Sequence, residues 1–418
     1  MANVLTKQIQ NKMSSYFSNL SEHLHKPEVR CVREMVTGII KNGTVLINQI
    51  ASGINDDISL NKTTKRFRNH YNKIGFFMKL FKGHLHSMKE KIYHGDYILV
   101  DGSDIQKKYA KMMEGLDYVK DGDKKTIGLG YWLMNIVHFG KDGEMTPLFN
   151  KLYSFDHGAR SENLEVIEAV KTIRESIKKR LKYIYDRGMD RDILRDFIIK
   201  GIDDFILRLK KTTKLFYKGQ EMSVNDIAKK LPLFMELSAV KVKKSKKCKK
   251  YYSCGAVKVQ YQIGKQVFDL WLVVTQNKGG GYCYLLTRTP QKNIVEVIKE
   301  TFVAYGYRWK IEEYHRHIKE CYRLEDIQIK TFEGLQSMLA ILTIAMSIIY
   351  RELASIHIKL LLESGVKTLN KEKIYELYNF IYYKISKILK VLLAHVKPKA
   401  FLPDIQNCSD LQQLRLAL

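Results

Sequence analysis

Apolar residues recur along this chain in two rhythms, and the change between them divides it. Over residues 1–90 the spacing is helical. Pro27 opens a segment in which Val29, Val32, Val36, Ile39 and Ile40 share a face, and Asn42-Gly43 closes it. The pattern predicts a second helix at about Thr44–Ala51 and a third, basic one at Lys62–His70. From Tyr97 the rhythm shortens. Tyr97–Val100 is an apolar run ending at Asp101, which predicts a buried strand with a carboxylate at its tip. Two more strands are expected at Gly128–Phe139 and Pro147–Phe155, joined by a turn at Gly140–Gly143, followed by a helix from Ser161 to Arg180. Tyr183–Tyr185 again runs into a carboxylate, Asp186. A helix at Arg191–Lys200 and a strand at Phe205–Leu209 come next. Strands mixed with flanking helices predict an α/β layer.

Residues 231–291 interrupt that layer. Lys241–Lys250 holds seven Lys in ten residues and no acid, which reads as a basic loop. β-like runs follow at 256–262, 267–275 and 282–288, with Gly279-Gly280-Gly281 as a turn. From Asn293 to the end the pattern is helical. Leu335–Tyr350 is the most apolar stretch; it reads as a buried helix, too short and broken to span a bilayer. Lys371–Ala394 is amphipathic and is expected to pack on its own domain, with a dimer contact as the alternative. The resulting division is a helical region 1–92, a core in two parts (93–230 and 292–345), a β insertion 231–291 and a C-terminal helical region 346–418.

Charge narrows the function. Of 418 residues, 71 are Lys or Arg and 44 are Asp or Glu, a net of 71 − 44 = +27. A fold does not need that excess, so a polyanion, DNA or RNA, is the expected partner, ahead of an acidic membrane surface. Residues 1–90 carry 14 basic and 6 acidic side chains, a net of +8. Helix, short turn and basic helix there fit either a major-groove reader or a bundle with a solvated basic face. Only 6 Pro argue against long disordered linkers. The polar first 21 residues predict no secretory signal. Six scattered Cys predict no disulfides and a reducing cytoplasm. Cys248 and Cys254 lack zinc-knuckle spacing, and the 12 His show no ligand spacing; His315 and His317, two apart, cannot share a helical face.

One constellation carries chemistry. Tyr305, Arg308, Glu312 and Lys319 are spaced +3, +4 and +7, which puts them on one face if the segment is a single helix. Arg308 and Lys319 would then stand about 16 Å apart along the axis, flanking Glu312 and suited to grip two phosphates. By itself this could be a solvated face with an Arg308–Glu312 pair. With Asp101 and Asp186 ending apolar runs, three carboxylates come from separate elements of a strongly basic chain. Phosphodiester hydrolysis uses such oxygen ligands to hold two hard cations about the scissile phosphate.

The order Asp101, Asp186, Glu312, with Tyr305-x2-Arg308-x3-Glu312-x6-Lys319, resembles the DDE transposases of bacterial insertion sequences, in the branch with a Tyr-Arg-Glu-Lys signature. Supporting runs are Val100–Ile105, Tyr185–Gly188, Arg308–Glu313 and Lys26–Arg30, and the resemblance covers roughly residues 20–345. It implies a ribonuclease-H-like core interrupted by a β insertion. Asp101, Asp186 and Glu312 would bind two Mg²⁺ or Mn²⁺ ions. Tyr305, Arg308 and Lys319 would hold phosphates of the transposon end, and Trp309 would lie beside a displaced base or, alternatively, in the core. It further implies hairpin-mediated cut-and-paste transfer to target DNA by a homodimer acting at the nucleoid, with no membrane role. The alternatives are a non-catalytic DNA-binding relative and a nuclease of the same fold without strand transfer.

Overall fold

A computed structural model of the chain describes residues 2–54, 58–107, 109–120, 126–243, 246–291, 293–363, 381–394 and 396. Five helices come first: α1 (Ala2–Leu20), α2 (Lys26–Asn42), α3 (Ile47–Ser52), α4 (Leu60–Tyr71) and α5 (Phe76–Lys89). Local chemistry sets the bounds of α2. Pro27 occupies its first turn, where a missing N–H costs nothing, and Glu28 accepts from the His25 N–H at 3.1 Å. Gly43 ends it at φ 60°, its N–H bonded to the Ile39 carbonyl. On α4, Thr63, Phe67 and Tyr71 are buried while Lys62, Lys65 and Arg68 face solvent.

The rest is a mixed α/β structure with one large sheet. Its strands are β1 (Tyr97–Gln106), β2 (Asp117–Lys120), β3 (Ile127–Phe139), β4 (Met145–Tyr153), β5 (Lys182–Tyr185), β6 (Asp204–Leu209), β7 (Lys214–Tyr217), β8 (Gln220–Ser223), β9 (Met235–Lys243), β10 (Lys246–Ile263), β11 (Gln266–Asn277) and β12 (Tyr282–Arg288). The order is β2-β3-β1-β5-β6-β12-β11-β10-β7-β8, with β4 on β3 and β9 on β10. Strands β1, β5 and β6 run parallel; the remaining pairings are antiparallel. Helices α6 (Glu162–Ile177) and α7 (Asp192–Gly201) make the crossovers from β4 to β5 and from β5 to β6.

Three features differ from the sequence expectations. The extra strands are not set apart from the core: β12 pairs with β6 over Phe205–Leu209, so the sheet continues through them, and they begin at Lys214, ahead of residue 231. The described residues of the expected basic loop Lys241–Lys250 instead lie in two antiparallel paired strands, with Lys243 opposite Lys246 and Val240 opposite Lys249. In the first arm Val240, Lys241, Val242 and Lys243 alternate in sequence with the strand period of two. Finally, the apolar stretch is longer than expected. Phe332–Glu352, comprising α11 (Phe332–Ser347) and a π-helical turn, is long and apolar enough to cross a membrane, yet nearly all of it is buried against β4 and helices α2, α4 and α5.

Toward the C-terminus come α9 (Ile294–Gly306), α10 (Trp309–Glu320), α12 (His357–Glu363) and α13 (Ile381–Leu393), after the short α8 (Val224–Lys230). The described part of the predicted Lys371–Ala394 helix packs on its own chain. Ile385, Leu389 and Leu393 are buried, and the Ser386 hydroxyl meets His317 Nε2 at 3.1 Å and accepts from the Tyr322 hydroxyl at 2.9 Å. Residues 371–380 lie outside the described ones.

Asp96 anchors the start of β1. Its carboxylate accepts from the Tyr93 N–H at 2.8 Å and the Lys141 N–H at 3.3 Å, and meets His138 Nε2 at 2.9 Å, while its carbonyl takes the Lys182 N–H. Burial works to raise its pKa, but His138 and the backbone donors outweigh burial and hold it below the usual carboxylate value. Asp96→Ala is expected to lower unfolding free energy by about 2–3 kcal/mol at pH 7. Because the folded value is depressed, this contribution is present above about pH 3.9 and lost as pH falls through the folded pKa. Urea titrations of both proteins at pH 7 and pH 3 check it: equal destabilisation at both would contradict the assignment.

Candidate active site

The two aspartates reach one place through strand pairing. Parallel pairing of β1 with β5 ends at Val100–Tyr185, whereas antiparallel pairing of β1 with β3 continues to Gln106–Gly130. Asp101 therefore lies within β1, not at its tip as expected, opposite Asn135 of β3. On its other side β5 has stopped, and the chain there turns through Asp186 into the short 3₁₀ segment Arg187–Met189. Both carboxylates thus flank the carboxyl ends of parallel strands, where open α/β sheets form their crevices.

Glu312 arrives from α10, which packs on β1 and β3. The expected single helix is broken. Helix α9 stops at Gly306 and α10 starts at Trp309, with Arg308 at its N-terminal boundary. Bonds from the Tyr307, Arg308, Lys310 and Ile311 N–H groups reach back three residues, to Ala304, Tyr305, Tyr307 and Arg308. That tighter winding redirects the chain between Tyr305 and Glu312.

Arg308 is the hub. Its side chain is only 6% exposed. Nη1 donates to Glu312 Oε1 at 2.7 Å and lies 3.9 Å from Asp101 Oδ2, while Nε lies 3.7 Å from Asp186 Oδ1. Asp186 Oδ1 also accepts from the Tyr305 hydroxyl at 2.8 Å and from Arg208 Nη1 at 3.4 Å. Asp101 Oδ1 accepts from the Gly102 N–H at 2.9 Å. Three carboxylates thus face two guanidinium groups, so one negative charge is uncompensated when all three ionise.

The titration behaviour follows that imbalance. Burial, with Asp186 and Glu312 adding to it against Arg308, pushes the Asp101 carboxyl up to about 7. For Asp186 burial acts upward too, but Arg308, the Arg187 N–H, Tyr305 and Arg208 outweigh it and the net shift is downward. Burial, reinforced by Asp186, raises the Tyr305 hydroxyl well above its ordinary value. The donors are hard oxygens converging from three elements with excess negative charge, which fits a divalent cation.

The structure gathers Asp101, Asp186, Glu312, Tyr305 and Arg308. Lys319 is placed elsewhere, along β1, with Nζ 3.9 Å from Asp104 Oδ1 and 3.6 Å from Glu325 Oε1. Trp309 is not a core residue: it is 53% exposed, and its ring lies 4.8 Å from Arg308 Cζ. Arg208 was missed; its only sequence signal is one Arg within the apolar strand Phe205–Leu209.

A crevice of carboxylates at the carboxyl ends of a mixed sheet has the hard oxygen donors that divalent cations take. The family model described as Transposase DDE domain matches residues 98–348, from β1 to the end of α11 and well over half of the chain. The chain belongs to this family, whose members are transposases that use divalent metal ions and act on DNA. Among curated proteins no relative matches.

The charge excess predicts an unusual pH response in metal-free protein. With a folded pKa of about 7 against an unfolded value near 3.9, ionised Asp101 destabilises the fold increasingly from pH 4 to pH 7. Asp101→Asn is therefore expected to be more stable than wild type at pH 8, by on the order of a few kcal/mol, with the difference gone at pH 4. Chemical denaturation in EDTA measures it; a variant less stable than wild type at pH 8 would refute the charge imbalance.

Proposed function

We propose that this transposase cleaves transposon-end DNA at a site built from Asp101, Asp186 and Glu312, and joins the freed 3′-OH to target DNA. The observation that carries this reading is the convergence of three carboxylates, from a strand, a strand-end turn and a distant helix, on the single guanidinium of Arg308. The sheet order β3-β1-β5-β6, with β1 antiparallel to β3 and parallel to β5, supports a ribonuclease-H-like core in two parts, with the added strands from Lys214 to Arg288 inserted between them. Asp101, Asp186 and Glu312 would hold two Mg²⁺ or Mn²⁺ ions, which supply an activated water oxygen and stabilise the leaving 3′ oxygen.

The chain's own residues do the rest. Tyr305 and Arg208 hold Oδ1 of Asp186. Arg308 balances the carboxylates before cations arrive, then turns to a phosphate of the DNA end, where a planar guanidinium binds bidentately. Trp309, exposed beside it, meets a displaced base. Lys319 holds a second phosphate farther along β1. The exposed basic face of α4 within region 1–92 binds the duplex end. A hairpin intermediate opened by water, cut-and-paste transfer and a homodimer acting in trans complete the scheme, with region 346–418 as a dimer contact.

Asp101→Asn, Asp186→Asn and Glu312→Gln should each abolish end nicking in Mg²⁺ while leaving end-DNA affinity nearly unchanged. Near-wild-type nicking by any of them, in a single-turnover assay with a labelled end, would remove that residue from the site. The double role of Arg308 separates two readouts. Arg308→Met should bind Mn²⁺ on the order of tenfold more tightly in a calorimetric titration without DNA, because no guanidinium competes for the carboxylates. The same variant should nick more slowly, having lost a phosphate contact. Weaker Mn²⁺ binding by Arg308→Met would contradict the exchange.

A further inference from the structure

Far from this crevice, the turn that ends α1 meets α5 in a cluster with a different chemistry. Glu22 and His23 lie in the turn after α1, and His86 lies on the exposed side of α5. One oxygen of Glu22 and one ring nitrogen of each histidine lie within 4.8 Å of one another. Glu22 Oε2 is 3.6 Å from His86 Nε2, and the His23 and His86 ring centroids are 4.6 Å apart with planes inclined at 64°.

One observation points directly to a ligand. His23 Nε2 is buried and has no hydrogen-bond partner among the described residues. An orphaned buried ring nitrogen costs free energy that a bound group would recover. The close approach is also built in. A Cβ on Gly83 would lie 2.9 Å from Leu20 Cδ1 and 3.2 Å from His23 Cβ, so glycine there lets α5 pack tightly against the turn. His84, on the inward side of the same helix, is already used: it meets the Tyr16 hydroxyl at 2.7 Å and the Pro147 carbonyl at 2.9 Å.

We propose that Glu22, His23 and His86 form a site for a borderline transition-metal ion, Zn²⁺ above all, with water as the fourth ligand. Two imidazoles and one carboxylate are a zinc donor set, and imidazole disfavours Mg²⁺, so the site is chemically separate from the three-carboxylate crevice. Zinc bonds of about 2.0–2.2 Å require the donors to close up somewhat from their present spacing. Glu22 and His86 can do this by rotamer changes, because their side chains are 66% and 54% exposed. Helix α5 also packs on β4 and α6. The ion would therefore pin the end of the first helix to the element that joins the helical region to the sheet.

The test is a Zn²⁺ titration of the full chain by calorimetry and thermal unfolding, in saturating Mg²⁺ so that the crevice is occupied by the harder ion. Wild type should bind one Zn²⁺ and unfold at higher temperature with it. His86→Ala should weaken that binding at least tenfold and lose the thermal gain; His86 is exposed, so the variant keeps its core. His23→Ala should do the same, and Glu22→Gln should weaken binding less. Asp101→Asn should retain the site. Zn²⁺ binding that is unchanged in His86→Ala, or that disappears in Asp101→Asn, would overturn the proposal.

Discussion

One ion-pair network organises the centre of this protein: the buried guanidinium of Arg308 set among Asp101, Asp186 and Glu312. Three carboxylates brought this close repel one another, and burial raises the cost of each charge. A cation among them is the physical condition for the crevice to exist. In the protein alone Arg308 meets most of that condition, helped at Asp186 by Arg208 and by the Tyr305 hydroxyl. What it leaves unmet falls on Asp101. Under the proposed function, this residual negative charge and these hard oxygen donors would let metal take the place of the guanidinium, and the displaced guanidinium would be released beside the bound DNA end.

The sheet makes that convergence rigid. Because β5 ends at Tyr185 while β1 runs on to Gln106, Asp101 is gripped by β3 from one side and open on the other. Helix α10 closes over this opening and brings Glu312. The buried Phe332–Glu352 segment lies between the sheet and the helical region, so the site rests on a dry core and not on loops. Continuity of β12 with β6 carries the same rigidity into the added strands and their lysine-rich strand pair.

Much of this was legible in the sequence because it depends on short-range pattern. The Pro27 and Gly43 bounds of α2, the strands at Tyr97, Gly128 and Tyr183, and the Gly279–Gly281 turn all follow from local propensity. The resemblance to DDE transposases rested on six residues, and the family match agrees with it. What was not legible depends on partners. Nothing local says that β1 outlasts its apolar run, because its polar half is held by pairing with β3. The break at Tyr307–Arg308 is invisible to a 100° period, which continues through Gly306 without a phase error. Arg308 therefore looked like a surface residue beside Glu312, whereas it is buried, and Lys319 looked like its counterpart, whereas it faces Asp104 and Glu325. Arg208 and the Glu22–His23–His86 cluster join positions too distant in the chain for spacing to reveal.

The central claim is that metal takes the place of Arg308 among the three carboxylates. Crystals grown with Mn²⁺ and a cleaved DNA end, examined by anomalous scattering, test it most directly. The account predicts Mn²⁺ peaks bounded by Asp101, Asp186 and Glu312, with the Arg308 guanidinium turned out onto a DNA phosphate. Peaks absent from that position, or an Arg308 still bonded to Glu312 and Asp186 in the loaded complex, would contradict it.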